Sequence, residues 1–210
     1  MTAINAPLLN ELLRPQKLED LNLPAKTVAR LLKMQETGFP LNMIFYGKPG
    51  IGKSSAARVM LKNSDVYEIN GSHNSGDKTM VNAIQTFCST MSLIGKPKVV
   101  FIDEADFMPR NVQDALRYTI EQVSGNARFI MTANDYTKMT SAIKSRCVGL
   151  CFDVSIRERD EVIGKMLSRY EQHLKSLRIK YDPTRLREIL GIYFPDLRAV
   201  ANQIDFEFAG

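Results

Sequence analysis

Residues 47–54 read Gly47-Lys48-Pro49-Gly50-Ile51-Gly52-Lys53-Ser54 and match the pattern G-x-x-x-x-G-K-[ST]. An apolar run over residues 41–46 precedes this stretch, and a helical pattern over residues 53–62 follows it. Glycines allow backbone N–H groups to curve around phosphate groups, and a helix N-terminus adds partial positive charge. The arrangement therefore predicts a phosphate-binding loop, in which Lys53 reaches the β- and γ-phosphates and the Ser54 hydroxyl binds Mg²⁺.

Short apolar runs bounded by Gly, Asn, Asp or Pro recur along the first three quarters of the chain. They predict buried parallel strands over residues 41–46, 66–69, 98–102, 128–132 and 148–152. Helical spacing separates the strands, and the residues expected on the buried helix faces are Met80, Ala83, Ile84, Phe87 and Met91 over 77–91, and Val112, Ala115, Leu116 and Thr119 over 111–123. This alternation predicts an α/β fold with a doubly wound, five-stranded parallel sheet.

The pattern changes after Phe152. One long, charged helix is predicted over residues 155–177, and two shorter helices follow over 183–190 and 196–206. No strand is needed in this part of the chain. The 210 residues are therefore expected to divide into a nucleotide-binding α/β domain over 1–152 and a small all-helical lid domain over 153–210.

A second motif places two carboxylates directly after an apolar strand, in the run Val99-Val100-Phe101-Ile102-Asp103-Glu104-Ala105-Asp106. Open α/β sheets bind ligands at the carboxyl ends of their strands. Asp103 is therefore predicted to hold Mg²⁺ through its water shell, and Glu104 to act as the general base that polarises the attacking water. Asp-Glu-Ala-Asp also occurs in a helicase family, but that family requires a second motor domain, for which the chain has no room.

Three further polar residues have open roles. Asn134 follows the apolar run over 128–132 and either positions water against the γ-phosphate or simply begins a turn. Arg146 either forms a surface ion pair or serves as a finger in a neighbouring subunit's site. Arg198, at the start of the last helix, could fold back onto the bound phosphate. Sequence spacing alone does not decide between these roles.

Composition excludes several classes of protein. Apolar residues make up 44% and charged residues 24%, which is ordinary for a globular chain and argues against disorder or a fibrous repeat. The apolar runs are far shorter than the about 20 residues of a membrane span, and no secretory leader is expected.

The three cysteines are expected to be reduced thiols, without a metal site at Cys147 and Cys151. The net charge of +5 favours polyanionic partners only mildly.

The order of these motifs resembles the AAA+ ATPase superfamily and, within it, the clamp-loader small subunits of replication factor C and of bacteriophages. The resemblance covers nearly the whole chain. It is carried by Arg14-Pro15, Glu68-Ile69-Asn70-Gly71-Ser72, Ile102-Asp103-Glu104-Ala105-Asp106, Gln113-Asp114-Ala115-Leu116-Arg117-Tyr118-Thr119-Ile120-Glu121, Thr132-Ala133-Asn134, Ser145-Arg146-Cys147 and Asp196-Leu197-Arg198. The Ser-Arg-Cys triplet at this position is fairly specific to clamp loaders.

The resemblance implies a P-loop NTPase that binds ATP and Mg²⁺. Its implied catalytic residues are Lys53, Glu104, Asn134 and Arg198, with Arg146 acting in the adjacent subunit's site, and its implied metal ligands are Ser54 and Asp103. The implied nucleotide-binding residues are Arg14, Pro15, Gly47, Lys48, Pro49, Gly50, Ile51, Gly52, Lys53, Ser54 and Ser55, with the segment over 14–24 near the adenine. By the same resemblance, Gln113 couples DNA contact to the ATP site.

The resemblance also implies partners, namely other AAA+ subunits in a ring or spiral, a sliding clamp and primer-template DNA, with no membrane. A cytoplasmic or nuclear location follows.

Two departures are expected: Val81 replaces a basic residue that tracks DNA in the family, and no third, collar domain follows the lid. Lys78 and Arg110 are alternative DNA contacts or plain solvated charges. Rival functions are another DNA-associated AAA+ machine, such as a branch-migration motor or helicase loader, and a scaffold subunit that does not hydrolyse nucleotide.

Overall fold

The computed structural model describes residues 9–72, 78–92, 95 and 98–209. In this part of the chain the strands are β1 Met43–Tyr46, β2 Asp65–Asn70, β3 Lys98–Asp103, β4 Ala127–Ala133 and β5 Val148–Cys151. They form one parallel sheet in the order β2-β3-β4-β1-β5. The predicted five-stranded parallel sheet is therefore confirmed, with strand ends that differ by one or two residues.

Helices connect the strands and then form a separate cluster. Their bounds are α1 Leu9–Leu12, α2 Ala25–Glu36, α3 Lys53–Met60, α4 Lys78–Ser89, α5 Arg110–Gln122, α6 Ser141–Lys144, α7 Ile156–Ser176, α8 Pro183–Tyr193 and α9 Leu197–Ile204. Aspartates cap two of the late helices, since Asp182 accepts a hydrogen bond from the Thr184 amide and Asp196 accepts from two amides of α9. No helix within the described residues combines the length and the apolar character that a membrane span requires.

Both faces of the sheet are covered, because successive side chains of a strand point to opposite faces. Phe45 and Phe101 pack with α2 and α3 on one face, whereas Ile44 and Val100 pack with α4 and α5 on the other. All four of these side chains are fully buried. Burial on both faces explains why the strands read as continuous apolar runs rather than as alternating patterns.

The helices after β5 have an apolar core of their own. It is built from Val162, Met166 and Tyr170 of α7 together with side chains of α8 and α9. The N-terminal segment joins this helical cluster, because Leu13 packs against its core and Arg169 of α7 donates hydrogen bonds to the carbonyls of Leu13 and Asp20. The segment before α2 therefore lies against both the sheet unit and the helical unit.

Two predicted helix faces need correction. Met91 is 89% exposed, because α4 ends at Ser89 and the chain has left the helix before Met91. On α5 the buried face includes Gln113 rather than Ala115, which is exposed. At 3.6 residues per turn, Ala115 lies roughly 100° from the centre of the buried face of α5. Val81 is a core residue of α4 with 7% exposure.

Candidate nucleotide-binding site

The carboxyl ends of three neighbouring strands meet at one edge of the sheet. β4 lies between β1 and β3, and the register pairs Tyr46 with Ala133 and Ile102 with Met131. This order places the loop after β1, Asp103 at the end of β3 and Asn134 after β4 side by side. A cleft of about 740 Å³ opens there between the sheet and the helices that follow it, a volume typical of small-molecule sites.

The loop after β1 has the backbone of an anion site. Gly50 has φ of 75° and Gly52 has φ of 99°, which are left-handed values that favour glycine. A side chain at position 50 would overlap the carboxylate of Asp196. Within the described residues, the backbone N–H groups of residues 50–55 make no hydrogen bond. Six unbonded N–H groups at the start of α3 can therefore bind an anion.

Lys53 is buried at 6% exposure and fully hydrogen-bonded. Its Nζ donates to the carbonyl of Gly47 at 2.8 Å, to the carbonyl of Lys48 at 2.9 Å and to Oδ1 of Asn134 at 2.8 Å. Burial lowers the pKa of Lys53, whereas nearby carboxylates, that of Asp106 first, oppose the shift. The ammonium group thus lies where the N–H groups of the loop converge with Asn134, and a phosphate can replace one of its carbonyl partners.

Asp103 gathers three donors. Its Oδ1 accepts hydrogen bonds from the hydroxyls of Ser54 and Thr132, each at 2.6 Å, and its Oδ2 accepts from Arg58 at 3.0 Å. A hydroxyl and a carboxylate next to a phosphate-binding loop are the oxygen ligands that Mg²⁺ takes beside a nucleotide. Ser54 and Asp103 therefore fit a Mg²⁺ ion that takes its other ligands from phosphate and water.

Glu104 follows directly in a strained backbone conformation. Its φ of 56° and ψ of 43° lie in the left-handed region, which non-glycine residues rarely adopt. The Thr132 hydroxyl accepts a hydrogen bond from the Glu104 amide at 2.9 Å, and the Gly71 amide donates to the Asp103 carbonyl at 2.7 Å. These contacts hold the turn after β3 so that Glu104 lines the cleft.

The end of β4 is fixed by Asp106. The Oδ2 atom of this buried carboxylate accepts hydrogen bonds from the amides of Asn134 at 3.2 Å and Asp135 at 3.0 Å. Asn134 therefore has both its backbone and its side chain restrained, the latter by Lys53. The structure places Asn134 beside the phosphate loop, as its bond to Lys53 shows. Its role in positioning water against the γ-phosphate stays a prediction.

The helical unit and the N-terminal segment close the cleft. Arg198, Arg14 and Pro15 all line it, as do residues 49–55 of the loop. The amide of Leu197, at the start of α9, donates to the Gly50 carbonyl at 3.1 Å. On the other side, the Lys48 amide donates to Asp153 Oδ1 at 2.8 Å. Gly47 and Lys48 do not line the cleft. Their carbonyls bind Lys53, and the Lys48 amide binds Asp153.

Arg146 lies on the opposite side of the sheet from the cleft, where the strands begin. It precedes β5, and its carbonyl accepts a hydrogen bond from Asn42, which precedes β1. All five strands are parallel, so these residues mark the amino edge of the sheet, away from the cleft. The guanidinium group donates to Glu121 and, at 2.7 Å, to the Ala142 carbonyl. Hydrogen bonding to Arg146 lowers the pKa of Glu121.

The two residues predicted to contact DNA stand at the starts of two helices. Arg110 is the exposed first residue of α5, and Lys78 is the first residue of α4. Val81 packs in the core and is unavailable for contact with DNA.

Two residues of the site were missed from the sequence. Thr132 carries no predicted role of its own in the sequence analysis, although its hydroxyl bonds both Asp103 and the Glu104 amide. Arg58 ion-pairs with Asp103 and also with Glu68 at 2.7 Å. The spacing of Ser54 and Arg58 was an available signal, because residues four apart share one face of a helix.

Residues 43–152, more than half of the chain, match the family described as ATPase family associated with various cellular activities (AAA). The chain belongs to the AAA family. The matched range runs from the start of β1 to just beyond β5, so it contains the phosphate loop, Asp103, Glu104 and Asn134.

Relatives of this AAA chain include replication factor C subunits. It is 32% identical over 206 residues to "Replication factor C subunit 4" of Saccharomyces cerevisiae, covering 94% of this chain and 62% of the relative. It is 34% identical over 165 residues to "Replication factor C small subunit" of Methanosarcina mazei, covering 72% of this chain and 49% of the relative. The chain therefore spans about half to three fifths of the length of these relatives, and the predicted resemblance is confirmed.

Solved structures share the fold. The Thermotoga maritima RuvB Holliday junction branch migration motor superposes with a TM-score of 0.57, covering 92% of this chain and 72% of that one. Its sequence identity of 18% restricts the comparison to the fold.

Proposed function

We propose that this AAA chain is a Mg²⁺-dependent ATPase subunit of a sliding-clamp loader that acts on primer-template DNA. The observation that carries the proposal is the convergence of Lys53, Ser54, Asp103 and Asn134, joined by hydrogen bonds beside a loop of unbonded N–H groups. Similarity to replication factor C subunits over as much as 94% of the chain supports the choice of client.

Each residue of the cleft has a separable task in ATP hydrolysis. The N–H groups of residues 50–55 and the Lys53 ammonium bind the phosphates, and Arg198 adds positive charge from the helical unit. Bound Mg²⁺ would neutralise phosphate charge, held by Ser54 and Asp103. Glu104 accepts a proton from water as the water oxygen attacks the γ-phosphorus and the bond to the β-phosphate oxygen breaks. Asn134, restrained through Lys53 and Asp106, orients that water or the γ-phosphate.

Arg146 is proposed to act in the site of a neighbouring subunit. The phosphate loop follows β1 at the carboxyl edge, whereas Arg146 lies beside Asn42 at the amino edge. The four residues of β1 separate these edges, which at about 3.3 Å per residue corresponds to about 13 Å. An arginine side chain cannot span that distance through a packed sheet, so its contribution to hydrolysis requires a ring or spiral of subunits.

Gln113 is proposed to link DNA contact to the ATP site. Its buried amide donates to the carbonyls of Met108 at 3.0 Å and Lys138 at 3.3 Å, and it accepts from the Thr140 amide at 2.8 Å. Met108 follows the turn that contains Glu104, and Thr140 caps the helix that precedes Arg146. α5, which begins at the candidate DNA contact Arg110, is thus tied to both segments through one side chain.

The ATPase rate of the assembled protein tests this proposal. Rates are measured alone, with primer-template DNA, with a sliding clamp, and with both, and Lys53→Met serves as the inactive control. Clamp loading predicts the largest stimulation when DNA and clamp are present together. Stimulation by DNA that the clamp does not increase would favour a motor or helicase loader, and ATP binding without turnover in any condition would favour a scaffold subunit.

A further inference from the structure

Arg58 of α3 bridges two carboxylates that belong to neighbouring strands. Its guanidinium group donates to Glu68 Oε1 from Nε at 3.0 Å and from Nη2 at 2.7 Å, and the same Nη2 donates to Asp103 Oδ2 at 3.0 Å. The side chains of Arg58 and Glu68 are 51% and 46% exposed, whereas that of Asp103 is only 10% exposed. The bridge therefore runs from the surface of the sheet unit to the acidic residue in the cleft.

The fold places both carboxylates on one face of the sheet. β2 and β3 are parallel neighbours, and their register pairs Glu68 with Phe101 and Asn70 with Asp103. Since residues two apart on a strand point to the same face, Glu68, Phe101 and Asp103 share the face that α3 covers. The Arg58 guanidinium lies over the Phe101 ring, with its central carbon 5.6 Å from the ring centroid. Two carboxylates and an aromatic ring thus restrain the guanidinium group.

Arg58 and Ser54 hold different oxygens of Asp103. They lie four residues apart on α3 and therefore share one face of this helix. The Ser54 hydroxyl donates to Oδ1 at 2.6 Å, whereas Arg58 donates to Oδ2. The terminal torsion of an aspartate is broad, so the carboxylate can turn when Oδ2 is released. Arg58 thus keeps Oδ1 beside a hydroxyl whose lone pairs stay available for a metal ion.

Arg58 has two opposing effects on a cation beside Asp103. Its positive charge repels the cation, but Glu68 offsets this charge, and a half-exposed ion pair changes an affinity by less than about fivefold. Loss of a residue that orients a metal ligand lowers metal affinity by about 10- to 100-fold. Orientation of the carboxylate is therefore expected to outweigh repulsion of the cation.

We propose that Arg58 is a positioning residue for Mg²⁺, which fixes the Asp103 carboxylate in the orientation that binds the ion, and that Glu68 in turn fixes Arg58. The proposal rests on the proposed function, because it requires Mg²⁺ and a nucleoside triphosphate in the cleft. Arg58 acts through Asp103 and needs no contact of its own with the phosphates.

The Mg²⁺ dependence of nucleotide binding by the full chain tests this role. The affinity for a fluorescent, non-hydrolysable ATP analogue is measured in EDTA and over a series of free Mg²⁺ concentrations, which gives a midpoint for the metal. Arg58→Met keeps an apolar stem over Phe101 and removes the guanidinium group. We expect it to raise the Mg²⁺ midpoint by about tenfold and to leave the affinity in EDTA as in the wild type. Removal of a positive charge alone would lower the midpoint.

Arg58→Lys separates geometry from charge. Lysine keeps the positive charge but lacks the planar fork that bonds two carboxylates at once. We expect this variant to raise the Mg²⁺ midpoint as well, by about tenfold. It also decides the question alone if Arg58→Met fails to fold.

Arg185→Met is the matched control. Arg185 also bridges two carboxylates, those of Glu188 and Glu207, and its side chain is 42% exposed, but it belongs to α8 and lies outside the cleft lining. Loss of this bridge should leave the Mg²⁺ midpoint unchanged. Thermal unfolding of each variant without nucleotide reports the structural cost of its lost ion pairs separately.

The possible results separate the role of Arg58 from the proposed function. A wild-type midpoint in Arg58→Lys, or a lower midpoint in Arg58→Met, would overturn the positioning role and leave the nucleotide site intact. Weaker binding of the analogue in EDTA by both variants would overturn it as well, and would assign Arg58 a direct contact with phosphate. Failure of the wild type to bind the analogue at any Mg²⁺ concentration would refute the proposed function and this proposal together.

Discussion

Thr132→Val removes one hydroxyl that organises both acidic residues of the site. That hydroxyl donates to Asp103 Oδ1 at 2.6 Å and accepts from the Glu104 amide at 2.9 Å. Thr132 is 2% exposed, and valine has nearly the same shape. The substitution therefore deletes two hydrogen bonds while leaving the packing between β3 and β4 in place.

The cost to stability follows from the group that is left unpaired. Asp103 Oδ1 keeps the hydroxyl of Ser54 as a donor, whereas the Glu104 amide loses the partner it has in the structure. Loss of one hydrogen bond by a part-buried donor costs about 0.5–1.5 kcal/mol. We expect Thr132→Val to lower the free energy of unfolding by about that amount, measured by urea denaturation.

The effect on catalysis should exceed the effect on binding. Glu104 lies in the left-handed region, at a cost of about 1–3 kcal/mol that the surrounding contacts must sustain. Without the Thr132 hydroxyl this turn can relax, and misplacement of a catalytic group by about 1 Å can cost a factor of about 100 in rate. We expect kcat for ATP to fall by about 10- to 100-fold. KM should change little, because Lys53 and the loop are untouched.

Two matched variants distinguish this mechanism from general damage. Thr132→Ser keeps the hydroxyl and should retain most of the ATPase rate. Thr119→Val removes a fully buried hydroxyl of α5 that accepts from Gln85 outside the cleft, so it should destabilise the chain without lowering kcat. A wild-type kcat for Thr132→Val, or an equal loss of kcat in Thr119→Val, would refute the reasoning.

Three further substitutions have defined outcomes. Glu104→Gln should keep ATP affinity and lose turnover, so normal hydrolysis by this variant would remove Glu104 from the mechanism. Arg146→Ala should lower hydrolysis in the assembly without changing ATP affinity of the isolated chain; an equal effect on hydrolysis in dilute monomer would contradict action in a neighbour's site. Hydrogen bonds from Lys26 and Ser155 lower the pKa of Glu158 from 4.5 to about 2. This depressed pKa stabilises the fold above pH 4.5, and the contribution is lost as pH falls through about 2. Glu158→Gln should therefore lower Tm at pH 6, and the difference from wild type should vanish near pH 2.

Strand positions were predictable because both faces of the sheet are buried, so that every strand appears as an apolar run. The helix faces were predictable only where packing is apolar. Gln113 is 1% exposed because its amide is satisfied by Met108, Lys138 and Thr140. Those partners come from segments whose placement depends on the tertiary fold. No periodicity in the sequence distinguishes a buried glutamine of this kind from an exposed one.

The residues of the site also divide into those that the sequence predicts and those that it does not. Lys53, Ser54 and Asp103 belong to short motifs whose backbone geometry is local, and the strand order then brings them together. Arg58 has no such motif, since its ion pairs join a residue of α3 to Glu68 of β2 and Asp103 of β3. Only the three-dimensional packing shows which carboxylates lie beside it.

The direction of the strands says more about the position of Arg146 than the order of the motifs does. Asp103 ends a strand and Asn134 follows one, and both line this chain's own cleft, whereas Arg146 precedes a strand. In a parallel sheet, residues before and after strands lie at opposite edges. A parallel arrangement was predicted from the sequence, and it already implies that Arg146 cannot reach its own chain's phosphate loop. The choice between a surface ion pair and a role in a neighbour's site therefore depends on assembly. The isolated chain holds Arg146 against Glu121, and the second role requires that another subunit offer it a better partner.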